Sequence, residues 1–149
     1  MAQLTEEAVL RKLLTDATGV TAVVGTRISP MRREQFKTQA DAKDYLTYRR
    51  VSGLHFRSMG GPSGLRSIRF QIDGYTKKYE DLVELREQIR LALDGTINET
   101  VTVGADSVLV QEISMESDRE DFVKPKDASD GGMYHLSQDY FVFVPESSP

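Results

Sequence analysis

Residues 60–95 read GGPSGLRSIRFQIDGYTKKYEDLVELREQIRLALDG: a glycine-rich turn, an alternating strand, a tight turn and an amphipathic helix closed by Asp94 and Gly95. In the strand, Ile68, Phe70 and Ile72 alternate with Ser67, Arg69, Gln71 and Asp73, the period-2 pattern of a strand with one buried face. The other face is expected to meet water or a partner. In the helix, Leu82, Leu85, Ile89 and Leu93 recur at three- and four-residue steps, while Lys77, Lys78, Glu80, Glu84, Glu87 and Arg90 occupy the remaining sides. A strand that must cover one face and a helix that must bury one stripe belong to the same core.

Working outward, Thr5 is placed to cap a first helix whose Glu6 and Glu7 complement the positive end of its dipole. Its buried stripe is Val9, Leu10, Leu13 and Leu14. Gly19 and Gly25 bracket a short apolar turn with Val20, Val23 and Val24 at helical spacing, followed by an extended stretch that ends at Pro30. Residues 31–44 hold Arg32, Arg33, Gln35, Lys37 and Gln39 around a lone large apolar anchor, Phe36, and read as a long loop. Tyr45–Phe56 reads as a strand bent at Gly53, and residues 60–64 as the turn of a hairpin into the alternating strand that holds Ile68, Phe70 and Ile72. After Gly95, Thr100–Val103 and Val108–Met115 read as a hairpin about residues 104–107. Glu116–Gly132 is polar, acidic and Pro-containing, and reads as a protruding arm. Met133–Val144 reads as a long closing strand rich in Tyr, Phe and Val.

Helix, strands, helix, strands in this order predict an α+β fold over residues 1–149 as one domain. Two main helices are expected on one face of an antiparallel, possibly mixed, sheet with long loops. A chain of 149 residues can remove roughly 70% of its unfolded surface from water, so its core needs no covalent staple. None is available: there is no Cys, which excludes disulfides, thiolate catalysis and Cys-ligated metals. No apolar run approaches the roughly 18 residues that span a bilayer, and no signal-peptide pattern follows Met1, so assembly in the cytoplasm away from membranes is expected.

The formal charge of −4 and pI near 5.2 argue against binding nucleic acid by phosphate neutralisation. The charge is unevenly spread. Arg27, Arg32, Arg33, Lys37, Arg49 and Arg50 lie early, whereas Glu112, Glu116, Asp118, Glu120, Asp121, Asp127 and Asp130 lie late. Such asymmetry suits copies meeting head to tail.

Catalytic and cofactor motifs are missing. His55 and His135 sit on separate strands without metal-ligand spacing. Ser63 lacks the strand-to-helix elbow of a serine hydrolase. The glycines at 60–64 lack a following helix and the GxxxxGK[ST] pattern of a phosphate cradle, and residues 127–132 lack the calcium-loop pattern. Tyr75, Tyr79, Tyr134, Tyr140, Phe141 and Phe143 have no interleaved basic residues of the kind a single-strand nucleic-acid binder presents. They read as core and contact residues. No catalytic residue, cofactor or metal ligand is assigned.

The run GPSGLRSIRFQIDGYTKKYEDLVELREQIRLALDG resembles the tail-completion or tail-terminator (head-tail joining) proteins of long-tailed bacteriophages. The resemblance extends to the VVGTRI segment (Val23–Ile28), the Tyr-rich strand Tyr45–Val51 and the final LSQDYFVFV (Leu136–Val144). It implies a structural virion protein and not an enzyme: a hexameric ring at the head-proximal end of the tail, between the tail tube protein and a neck or stopper protein. DNA would pass through the channel without being read. On exposure and composition, Arg32, Arg33, Phe36, Arg49, Arg50, Arg69 and Phe122 are the expected partner or subunit contacts. Glu116, Asp118, Glu120 and Asp121 are the expected acidic rim or channel lining. The alternatives are another neck connector, such as a stopper or adaptor, or a small carboxylate-dependent enzyme.

Overall fold

A computed structural model of the chain describes residues 6–25, 27–30, 44–58, 61–104, 106–123 and 133–145. The elements run α1 (Glu6–Asp16), α2 (Thr18–Val24), β1 (Ile28–Pro30), β2 (Tyr45–Ser58), β3 (Gly61–Thr76), α3 (Tyr79–Leu93), β4 (Thr96–Val103), β5 (Asp106–Val123) and β6 (Met133–Pro145). The strands form one sheet in the order β1-β2-β3-β6-β5-β4. All neighbours are antiparallel except β1, which runs parallel to β2 and makes the sheet mixed.

The alternation in β3 sorts its side chains as expected. Ile68, Phe70 and Ile72 are fully buried beneath α3, whose Leu82, Leu85, Ile89 and Leu93 are equally buried. Leu136, Tyr140, Val142 and Val144 of β6, with Val110 and Ile113 of β5, continue the same layer. Val9, Leu10 and Leu14 of α1 and Val20 and Val24 of α2 close it. Gly74 lets α3 approach: a Cβ there would lie 2.7 Å from Leu85 Cδ2. All of this core lies on one side of the sheet.

Four expectations change. The apolar turn after α1 is a separate seven-residue helix, so a short third helix joins the two main ones on this face among the described residues. The turn expected at 60–64 is tighter, because Gly61 already pairs with Ser58 and Pro62 with Arg57. Pro62 is tolerated there because it precedes Leu65, where pairing of β3 with β6 begins, so its missing N–H breaks no second ladder. The arm expected from Glu116 onward is strand as far as Val123, paired with β6 from Ser117↔Asp139 to Val123↔Met133. Its polarity was misleading because both sides of the sheet are polar at this end. Finally, the face of β3 expected to meet water or a partner is partly covered within the chain: Ser67 is 6% and Asp73 9% exposed. The loop expected at 31–44 lies outside the described residues except for Asp44, and residues 124–132 lie outside them too.

Candidate functional site: the helix-free face of the sheet

On the side of the sheet away from the helices, register places polar residues of four strands in adjoining rows. Thr47 lies beside Asp73, and Asp73 beside Ser137. Arg49 lies beside Gln71, and Gln71 beside Asp139. On the far side of β6, Arg119 faces Ser137 and Asp121 faces His135. Each strand contributes this face by simple alternation, so the rows assemble only once the strands are in register.

The residues are joined into a chain of hydrogen bonds. Arg49 donates to Gln71 Oε1 at 3.0 Å, and Gln71 Nε2 donates to both Asp73 oxygens at 3.1 Å. His135 lies between two carboxylates, with Nε2 2.8 Å from Asp73 Oδ1 and Nδ1 2.9 Å from Asp121 Oδ1. An imidazole can donate at both nitrogens only as the imidazolium. The Asp73 hydrogen bond accordingly raises the pKa of His135 above its usual value, helped by Asp121 and opposed by partial burial. Burial alone would push Asp73 up, but the hydrogen bonds from His135 and Gln71 outweigh it and hold its carboxyl below the usual range. Tyr45, Tyr75 and His135 stack in a row across three strands, with ring centroids 4.6 Å apart at each step. A second pair lies alongside: Arg69 Nη2 contacts Asp139 Oδ2 at 2.5 Å, and Ser117 Oγ donates to the same oxygen at 3.2 Å.

A hollow of about 460 Å³ opens beside His135, lined by Arg119, Glu120, Asp121, His135 and Ser137. It is poorly equipped for general-base chemistry. Both nitrogens of His135 are committed to carboxylates, and Ser137 Oγ accepts from Arg119 at 3.3 Å. Among the described residues no group of three His, Cys, Asp or Glu could hold a metal ion. The arrangement fixes a polar surface in one geometry.

The residues expected from sequence are dispersed. Arg32, Arg33 and Phe36 lie outside the described residues. Arg49 and Arg50 are exposed on β2, whereas Arg69 is engaged by Asp139 within the chain. Phe122 is 43% exposed and packs against Tyr134, which in turn meets Tyr79 edge-on. The four acids do not share a face. Asp121 joins His135 on the helix-free side, and Glu116 lies close enough to Arg69 to stabilise its charge there. Glu120 instead faces α3, where it pairs with Arg86 and accepts from Tyr79 Oη at 3.0 Å. Asp118 lies within the field of the same Arg86. Sequence reading missed His135 as a centre. The available signal was the recurrence of polar His135, Ser137 and Asp139 at every second position, with Leu136 and Tyr140 between and beyond them and Gln138 breaking the apolar alternation, which marks a polar face but not what lies opposite it.

The His135 cluster has a testable pH signature. A raised His pKa contributes stability that is fully present below about pH 6.5, the unfolded value, and is lost as pH rises through the folded pKa. The lowered Asp73 acts at the other end: its contribution is present above 3.8 and is lost as pH falls through the folded pKa. Wild-type protein is therefore expected to lose stability between mildly acidic and mildly alkaline pH. His135→Gln should flatten that slope while leaving far-UV circular dichroism unchanged. Parallel slopes for the two proteins in urea titrations across this range would refute the assignment.

No family model and no curated protein match the sequence. Among solved structures, the chain is similar to one described as "Virion of native gene transfer agent (GTA) particle", with a TM-score of 0.70 and 12% sequence identity. The two share a fold. The likeness covers 95% of this chain and 95% of that one, so it extends over helices and sheet together.

Proposed function

We propose that this chain is a structural protein of a phage-like virion, one copy in a ring at the head-proximal end of the tail. The observation that carries this reading is the fold shared, over nearly the whole of both chains, with a component of a gene transfer agent virion. The resemblance of residues 61–95 to tail-completion and tail-terminator proteins supplies the finer position and the hexameric ring. There the ring would end the tail tube, dock the neck or stopper protein and let DNA pass through its channel unread. The contacts proposed are Arg32, Arg33 and Phe36 on one rim, Arg49, Arg50 and Arg69 on the sheet, and Phe122 at its other end. Glu116, Asp118, Glu120 and Asp121 are proposed as an acidic margin that does not hold phosphates.

The test has two arms. Purified protein, examined by light scattering and negative-stain microscopy, should reach the mass of a hexamer of the 16.7 kDa chain and show rings. In cells producing the particles without this chain, tails of uncontrolled length and unjoined heads are expected. Unjoined tails of normal length would favour a stopper or adaptor instead. Normal infectious particles would refute a role in the virion.

A further inference from the structure

Two lengths of sheet edge are open among the described residues. β1 covers the outer edge of β2 only at Leu46, Thr47 and Tyr48, leaving Arg49–Ser58 uncovered. At the opposite end of the sheet, β4 has β5 on one side and no strand on the other. Unpaired edge N–H and C=O groups are a template for another strand, and natural sheets blunt them with Lys, Pro or very short edges. β4 is not blunted in these ways. It is eight residues long, TINETVTV, without Pro, Lys or Arg, and its Ile97 is 66% exposed. Asn98, at φ 50°, kinks the strand, and Thr100–Val103 continues beyond it in register with β5.

The two edges match in height and direction. Following the register across the sheet, Ile97 lies in a row with Glu112, Phe143, Ser67 and Leu54. Thr96 lies in a row with Ile113, Val142, Ile68 and Gly53. The open part of β2 and the whole of β4 therefore occupy the same end of the sheet. Every step from β2 through β3, β6 and β5 to β4 is antiparallel, so β2 and β4 run the same way. A rotation about an axis along the strands, with no rise, brings β4 of one copy beside the open part of β2 of the next in parallel polarity. A repeated rotation without rise closes into a ring when its angle divides a full turn, whereas one with rise makes a filament.

Charge selects the same pairing. β4 starts just after the exposed Asp94, whose carboxylate accepts from the N–H of Met115, and Met115 ends the row of Arg50, Phe70 and Tyr140. Joining β4 to β2 without rise therefore sets the exposed Arg50 of one copy in the row of the exposed Asp94 of the next. Joining β4 to β4 or β2 to β2 would set like charges together.

We infer that a second copy of this chain adds its β4 edge to the open edge of β2, so that the sheets of successive copies run on as one continuous β-wall. This rests on the ring reading above and adds which backbone segments make the joint. The donors and acceptors can be named. In a two-residue hairpin the pair flanking the turn is hydrogen-bonded, and bonded and non-bonded pairs alternate beyond it. Val103 and Asp106 flank the turn, so Thr102 and Thr100 direct their N–H and C=O away from β5, toward the incoming strand.

The absence of Cys makes a clean cross-linking test possible. Ser52 on β2 and Ile97 on β4 are exposed, and their rows put both on the helix-free side. With a short bis-maleimide, a Ser52→Cys, Ile97→Cys double variant should give a ladder of covalent multimers ending in a closed species. Each single variant should stay monomeric on a denaturing gel, because it offers half of a joint. Thr100→Pro removes an outward N–H without touching the β5 ladder, and should melt like wild type yet lose both ladder and ring. A wild type that forms rings while the double variant gives no ladder would overturn the joint and leave the ring reading standing. Dimers from Ile97→Cys alone would overturn it in favour of two-fold pairing. If Thr100→Pro does not fold, the cross-linking arm still decides. A wild type that is monomeric in solution and missing from particles would remove the ring reading, and the joint with it.

Discussion

Phe70→Ala is expected to lower the unfolding free energy by about 3–5 kcal/mol. Phe70 is fully buried, and β3 is flanked by β2 on one side and β6 on the other, with Phe70 opposite Arg50 and Tyr140. Removing the ring loses its transfer free energy and leaves a cavity that the surroundings cannot easily fill. The backbone is held in two ladders, and Ile68, Ile72, Leu85 and Ile89 in the same cluster are already at full burial. Domains of this kind are stable by about 5–15 kcal/mol in total, so the variant should sit near the edge of folding at physiological temperature. Urea denaturation should show a large fall in midpoint at unchanged slope. A loss below about 1 kcal/mol would mean that the sheet and α3 can close over the gap, contrary to the large-to-small rule for rigid cores.

Tyr140→Phe should destabilise by about 1–3 kcal/mol although it removes a single oxygen. Tyr140 and Gln138 are both fully buried, and the Tyr140 hydroxyl donates to Gln138 Oε1 at 3.0 Å. Burial pushes that hydroxyl far above the ordinary phenol range, so it remains a donor wherever the protein is folded. The variant leaves the Gln138 carbonyl in the core without its donor, and an unsatisfied buried acceptor is the costly half of a broken hydrogen bond. The double variant Gln138→Leu, Tyr140→Phe removes both partners and should recover most of the loss. If the double variant is as unstable as the sum of the singles, shape rather than polarity governs the site.

The core positions of β3 and α3 were legible in the sequence to the residue. Ile68, Phe70 and Ile72 at every second position, and Leu82, Leu85, Ile89 and Leu93 at helical steps, are all fully buried, because local periodicity reports which side of an element faces inward. Order across the sheet was not legible. Placing β6 between β3 and β5 depends on pairings between distant segments, and nothing in LSQDYFVFV specifies its neighbours. For the same reason the Asp73–His135 contact, between residues 62 apart, could not be read from either segment. The length of β5 was missed for a different reason. Beyond Met115 its residues meet Arg86 on one side and His135 on the other, so alternation between apolar and polar disappears while the strand continues.

The three described helices share one side of the sheet, and the interior beneath them asks chiefly for apolar side chains of suitable bulk. Interiors of that sort accept many substitutions provided volume and alternation are kept. One architecture can therefore be built from sequences with little residue-level likeness, as the fold shared at 12% identity illustrates.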